Sequence, residues 1–295
     1  MSWRPFEVLA PAKINLFLEL LARREDGYHA IETVVQAISL CDRIEIEPGP
    51  RGLAFSCSDP SLPAGEGNLV VRAARAFAGA TGVELAIAVH LEKRIPAGAG
   101  LGGGSSDAAS TLAALDQVYE TELPPDDLAE LAAELGSDVP AFLAGPTAFA
   151  RGRGEAVIPL LPPPPAPVLV VVPVWSTPTS LVYEHAARAL GGPRRAAPVR
   201  RVAGIWRFEG ERSNRLEDVV LSLFPEAARL RDRLAGAGGC PVLLAGSGSA
   251  FALFPADEEA STLLAGKVSE WPEVRSVHRV HTLSTSWVPE AMMPA

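Results

Sequence analysis

Residues 96–106 read Pro-Ala-Gly-Ala-Gly-Leu-Gly-Gly-Gly-Ser-Ser, and five of the seven positions from 98 to 104 are glycine. Such a run does not belong inside a helix or strand, because glycine gives up more backbone freedom on ordering than any other residue. Ordered elements nevertheless flank it closely. Val83, Leu85, Ile87, Val89 and Leu91 alternate ahead of it as a strand does, and Ala109, Leu112 and Leu115 recur behind it at helical spacing, predicting a helix over 106–119. A strand, a glycine turn and a helix opened by Ser105, Ser106 and Asp107 make an anion cradle. Backbone amides approach closely where no Cβ intervenes, and the positive end of the helix faces the charge. The expected ligand is a phosphate group.

Two common phosphate loops are excluded. Gly98-x-Gly100-x-x-Gly103 has the form of the dinucleotide fingerprint, but the next segment, 126–135, reads as another helix, not as a second strand ending in an acidic ribose ligand. A Walker A loop needs a lysine directly before its hydroxyl residue, and this loop contains no lysine. The phosphate-binding ammonium must then come from elsewhere, and Lys93 and Lys13 are the candidates.

Ile14, Leu16, Leu18 and Leu20 alternate with Lys13, Asn15, Phe17 and Glu19, the period-2 signature of a half-buried strand that puts Lys13 and Asn15 on one face. A turn at 24–27 delivers Tyr28 and His29 near a strand end. Further strands are expected at 43–47, 53–57 and 83–91. Asn68 is placed to cap a helix to about 77, Gly136 to stop the 126–135 helix, and Ser137 to cap a short helix containing Asp138. A hairpin is expected over 149–160. Leu161-Pro-Pro-Pro-Pro-Ala-Pro167 can continue neither helix nor strand, so the junction at 162–167 divides the chain into domains 1–161 and 162–295. Beyond it a buried strand (168–172), helices near 180–190 and 217–235, strands at 242–244 and 250–254, a helix near 257–268 and a strand at 274–280 alternate as in an α+β sandwich.

At 295 residues the chain can bury a large core without disulfides or metal, and Cys41, Cys57 and Cys240 are too few and too scattered to staple it or to ligate zinc. No secretory signal or membrane-length apolar run is read, so a reducing cytoplasm is expected. The net charge of −9 disfavours nucleic acid and membrane surfaces as partners, so phosphate must be met locally. The densest basic stretch, 193–201, carries two prolines and no aromatic residue and reads as a solvated loop.

Pro96-x-Gly98-x-Gly100-Leu101-Gly102-x-x-Ser105-Ser106 resembles the second motif of the galactokinase, homoserine kinase, mevalonate kinase and phosphomevalonate kinase superfamily. Pro11-Ala12-Lys13-Ile14-Asn15-Leu16, Asp26-Gly27-Tyr28-His29, Gly136-Ser137-Asp138-Val139-Pro140, Asn214-x-Leu216-Glu217 and Gly246-Ser247-Gly248-Ser249 are similar to the branch that phosphorylates a cytidine diphosphate-linked methylerythritol. The resemblance spans most of the chain. It implies an α+β, two-domain small-molecule kinase, with a ribosomal-protein-S5-domain-2-like N-terminal domain and a ferredoxin-like α/β sandwich after it. It also implies ATP and Mg²⁺ as cofactors, with no direct metal ligand named by the sequence.

By motif position, the resemblance makes Asp138 the general base toward the acceptor hydroxyl and Lys13 the neighbour of both that carboxylate and the transferred phosphate. Pro96, Ala97, Gly98, Ala99, Gly100, Leu101, Gly102, Gly103, Gly104, Ser105 and Ser106 would hold ATP, with Asn68 and Lys93 at adenosine. Asn15 and Asp138 would meet the acceptor, and Tyr28 and His29 would read its cytosine. Tyr183 would close the base sandwich, a position that reads nearly as well as core packing. Gly246, Ser247 and Gly248 would support the cleft. Two positions depart from the pattern: Ala245 stands where relatives often have serine, and Asp107 where many have asparagine, adding negative charge near ATP.

Overall fold

The computed structural model describes residues 4–23, 29–189 and 196–285. Its backbone opens with two long strands, β1 (Phe6–Arg23) and β2 (His29–Pro48), paired antiparallel along their length. β3 (Gly52–Cys57) and, after α1 (Leu69–Thr81), β4 (Ala86–Glu92) extend the C-terminal half of β2, which pairs with β4 from Arg43 to Pro48. α2 (Gly103–Tyr119), α3 (Pro125–Leu135) and α4 (Val139–Leu143) follow. β5 (Thr147–Gly152) then pairs with the N-terminal half of β2, and β6 (Ala156–Pro159) closes the expected hairpin.

Past the prolines come β7 (Pro167–Pro173), α5 (Thr179–Ala189), the hairpin β8 (Val199–Val202) and β9 (Ile205–Phe208), and β10 (Ser213–Asn214). α6 (Arg215–Leu223), α7 (Pro225–Gly238), β11 (Val242–Leu244), β12 (Phe251–Leu253), α8 (Glu258–Ser269) and β13 (Val274–His281) complete the fold. The second sheet has the order β11-β12-β7-β13, antiparallel throughout, which is the ferredoxin-like arrangement.

Three apolar layers hold these elements. One lies between α1–α4 and the first sheet. A second joins the two sheets, with Ile14, Phe17, Val34 and Ile38 meeting Val168, Val170 and Val172. The third packs Leu169 and Val171 against α5–α8. β7 is therefore buried on both faces, as its unbroken apolar run requires. β10 pairs with β1 at Phe17 and Leu18, so a segment from beyond the prolines completes the first sheet.

Several local expectations are corrected. β1 is not half-buried: Lys13, Asn15, Phe17 and Glu19 are all buried. The second sheet and the 244–249 loop cover the face that would otherwise meet water, and β-bulges at Pro11/Ala12 and Asn15/Phe17 break the strict alternation. The strands expected at 14–20 and 43–47 are parts of one long hairpin. The glycine loop ends earlier than expected, because α2 begins at Gly103 with Gly102 as its cap. Gly136 ends α3 in an extended conformation, and Asp138, not Ser137, is the N-cap of α4, without a side-chain bond to it. The single helix expected at 217–235 is two, because Pro225 has no N–H to donate and cannot sit in a helix interior. Part of the basic stretch forms β8, while Arg194 and Arg195 lie outside the described residues.

Candidate active site

The loop from Lys93 to Gly102 leaves β4 and turns into α2 over one wall of a cleft of about 1140 Å³. Gly100 (φ 79°) and Gly102 (φ 72°) are required for two reasons. Their backbone is left-handed, and neither has room for a side chain. A Cβ on Gly100 would collide with the Ala245 carbonyl oxygen, and one on Gly102 would stand 2.9 Å from Lys13 Cγ. The loop is thus pressed between β1 and the 245–248 turn. No side chain caps α2, which leaves its first amides directed at the cleft. Ala245 lies in the core between the sheets and offers the site only backbone, so its lack of a hydroxyl removes nothing from the cleft.

Packed against the loop, Lys13 Nζ donates to Asn15 Oδ1 at 2.8 Å, Asn15 Nδ2 donates to Thr33 Oγ1 at 2.8 Å, and Thr33 Oγ1 donates to the Phe17 carbonyl at 2.7 Å. This relay fixes the ammonium, which is 5% exposed and lies 3.7 Å from Asp138 Oδ2. The Asp138 side chain is 43% exposed and faces the cleft. β1 and the α3–α4 turn thereby bring together the pair expected from the motifs.

Asp42, which the sequence did not single out, organises the other end. It is fully buried on β2 and accepts from the backbone amides of Arg94 (2.5 Å) and Ile95 (2.8 Å), tying down the start of the loop. Its second oxygen accepts from Lys93 Nζ, which also donates to Asp107 Oδ2 at 2.8 Å. Lys93 thus lines the cleft as the centre of a carboxylate–ammonium–carboxylate cluster, and the added charge of Asp107 is met locally. Burial pushes the Asp107 carboxyl up to about 8, with the pull of Lys93 opposing and Asp42 adding to the rise. Burial works against the Lys93 ammonium, but Asp107 and Asp42 outweigh it and raise its pKa. Asp107 Oδ1 and Ser106 Oγ are buried without a hydrogen-bond partner.

At the far end, the rings of His29 and Tyr183 stand 6.2 Å apart at 33°. Tyr183 comes from α5 and packs against the core of the second sheet while also lining the cleft. Burial, with the Asp138 charge adding to it, pushes its phenol far above the ordinary range. Tyr28 lies outside the described residues. Asn68 lines the cleft and caps α1 through Val70 N at 3.0 Å. Gly246 and Ser247 line the cleft, whereas Gly248 and Ser106 stand behind its surface.

The 245–249 turn is held by residues from neighbouring elements. Asn214 Nδ2 donates to the carbonyls of Leu244 (2.9 Å) and Gly246 (2.6 Å), while its Oδ1 caps α6 at Leu216 N (2.9 Å). Glu217 accepts from Leu244 N at 2.8 Å. Thr177 donates to the Ser247 carbonyl at 2.8 Å, and the hydroxyls of Thr179 and Ser247 share a 2.8 Å bond. Asn214 and Glu217 stood within a quoted motif, but only the tertiary contacts reveal what they hold.

Residues 68–146, from the α1 cap through α4, match the N-terminal domain of the GHMP kinases. Over 265 residues the chain is 41% identical to the 4-diphosphocytidyl-2-C-methyl-D-erythritol kinase of Pelotomaculum thermopropionicum, covering 88% of this chain and 92% of that protein. The Thermus thermophilus enzyme of the same name is 45% identical over 248 residues, covering 83% of this chain and 86% of its own. A crystal structure of a 4-(cytidine 5'-diphospho)-2C-methyl-D-erythritol kinase superposes with a TM-score of 0.79 at 40% identity, covering 94% of this chain and 99% of that one.

The chain belongs to the 4-diphosphocytidyl-2-C-methyl-D-erythritol kinase family. Its fold is the α+β fold of the GHMP kinases, as the sequence motifs implied. Among the described residues, no helix is long and apolar enough to cross a membrane.

Proposed function

We propose that the chain transfers the γ-phosphoryl group of ATP to the 2-hydroxyl of 4-diphosphocytidyl-2-C-methyl-D-erythritol, a step of non-mevalonate isoprenoid precursor biosynthesis. One observation carries the reading: the Lys13–Asp138 pair, the glycine loop and the His29–Tyr183 rings all line a single cleft. A phosphate donor and a base-bearing acceptor would meet at that pair.

In the reaction, Asp138 takes the proton of the acceptor hydroxyl as its oxygen forms a bond to the γ-phosphorus. The bond from that phosphorus to the β,γ-bridging oxygen breaks, and ADP leaves. A positioned base contributes about 10²- to 10⁴-fold, so electrostatic stabilisation of the transferring group supplies the remainder. Lys13 is suited to this because its relay to Asn15 and Thr33 holds the charge in place before the reaction, avoiding reorganisation during it. The amides of Gly103, Gly104 and Ser105 at the start of α2 add fixed dipoles.

Mg²⁺ is part of the reading, neutralising charge on the ATP phosphates. Among the described residues no group of three His, Cys, Asp or Glu side chains could hold a metal ion. The donors present fit the mode in which Mg²⁺ keeps phosphate and water oxygens and takes one or two carboxylates. Asp107, with Oδ1 unpartnered beside the loop, would be that carboxylate.

Residues 1–161 carry the loop, Lys13 and Asp138, residues 162–295 close the cleft, and the partners are two small molecules in a cytoplasmic setting. An ADP-release assay of the purified protein against the cytidyl acceptor, mevalonate, homoserine and galactose tests the reading. The cytidyl substrate should give the highest kcat/KM, and preference for any other acceptor would refute it.

A further inference from the structure

The acceptor proposed above has three parts: a cytosine, a methylerythritol and the diphosphate that links them. Groups for the two ends are on the cleft wall, at His29–Tyr183 and at Lys13–Asp138. The bridge between them carries negative charge, and a chain of net charge −9 supplies no general attraction for it.

Among the described residues, the Lys and Arg side chains lining the cleft are Lys13, Lys93, Arg153 and Arg188. Lys13 is fixed beside Asp138 at the reacting end. Lys93 is flanked by Asp42 and Asp107 at the base of the glycine loop. Arg188 is 72% exposed and pairs with Glu184 one turn away on α5.

Arg153 is placed differently. In the β2–β5 ladder Gly152, the last residue of β5, lies opposite Ile31, two residues from His29, and Arg153 opens the turn that follows. On its other side, Gly154 packs so closely on Ser137 that an added Cβ would stand 2.6 Å from the Ser137 carbonyl oxygen. The turn is fixed further by the Arg153 amide, which donates to Glu155 Oε2 at 2.5 Å. Arg153 therefore stands between the base-reading end of the cleft and the residue preceding Asp138, where the linking diphosphate must pass.

We infer that the Arg153 guanidinium binds the diphosphate bridge of the acceptor and so selects a cytidine diphosphate-linked substrate over a free polyol. The inference rests on the cytidyl-acceptor reading. A guanidinium suits the task because its planar fork can give two parallel N–H···O bonds to phosphate oxygens, whereas an ammonium acts as a point charge.

The test is calorimetric titration of CDP and of cytidine into the full-length protein with the nucleotide site filled by ADP, for the wild type, Arg153→Gln and Arg153→Lys. Arg153→Gln should weaken CDP on the order of 10-fold or more and leave cytidine within about 2-fold, while Arg153→Lys should recover part of the loss. In steady state, Arg153→Gln should raise KM for the cytidyl acceptor and leave KM for ATP unchanged. If CDP is unaffected, or CDP and cytidine weaken by the same factor, Arg153 does not bind the diphosphate. Wild-type protein that bound neither ligand would overturn the acceptor reading itself.

Discussion

Asn214 joins the two sheets to the active site through three hydrogen bonds, and its replacement by alanine removes all of them at once. Loss of the α6 cap costs about 1 kcal/mol. Each bond to the Leu244 and Gly246 carbonyls is worth about 1 kcal/mol in a buried setting, so the total is about 3 kcal/mol. For a chain of this size that lowers Tm by roughly 6–10 °C. Gly246 packs beside Lys13 Nζ, so the loosened turn should also lower kcat, by about 10-fold or more, at temperatures well below Tm. Asn214→Ser separates the two effects. Its hydroxyl can still cap α6 but is too short to support the turn, so Tm should recover by part of the loss while kcat stays low. Melting curves and steady-state kinetics on the two variants check this. An Asn214→Ala protein that melts early yet turns over within about 2-fold of wild type would refute the claim that Asn214 positions the turn for catalysis.

The Asp107 cluster predicts a pH dependence. Because its folded pKa, about 8, lies above the unfolded value of 3.8, Asp107 stabilises the fold most at low pH, and that contribution is lost as pH rises through about 8. Tm should therefore fall as pH rises from about 5 to about 8 and level off above that; Asp107→Asn should flatten the trend, and an unchanged slope would contradict the assignment. Tyr183→Ala should raise KM for the cytidyl acceptor by about 10-fold through lost stacking, with KM for ATP unmoved. Tyr183→Phe should stay within about 2-fold, and an unaltered KM in the alanine variant would return Tyr183 to a packing role alone.

The glycine loop, Lys13 and Asp138 were legible because each sits in a short run whose residue types serve one purpose. The α1 cap at Asn68 and the buried strand β7 were legible from local chemistry and from an unbroken apolar run. Asp42 was not, since a carboxylate in the middle of a strand has no local signature, and its partners, Lys93 and the Arg94 and Ile95 amides, lie about fifty residues away. The same holds for Thr33, which completes the Lys13 relay from the neighbouring strand. Alternation along β1 marked two distinct faces but could not tell solvent from an interior cleft lined with polar groups. At Pro225 the signal was present, yet helical spacing on both sides made one helix of two.

Substitution of Asp138 by asparagine bears most directly on the mechanism. The change keeps the shape of the side chain and removes its ability to take a proton. With ATP and the cytidyl acceptor saturating, turnover of Asp138→Asn should fall by about 10²- to 10⁴-fold while calorimetric affinities for ATP and CDP stay within about 3-fold of wild type. Turnover near the wild-type value would contradict the account, because proton removal at the acceptor hydroxyl would then not depend on Asp138.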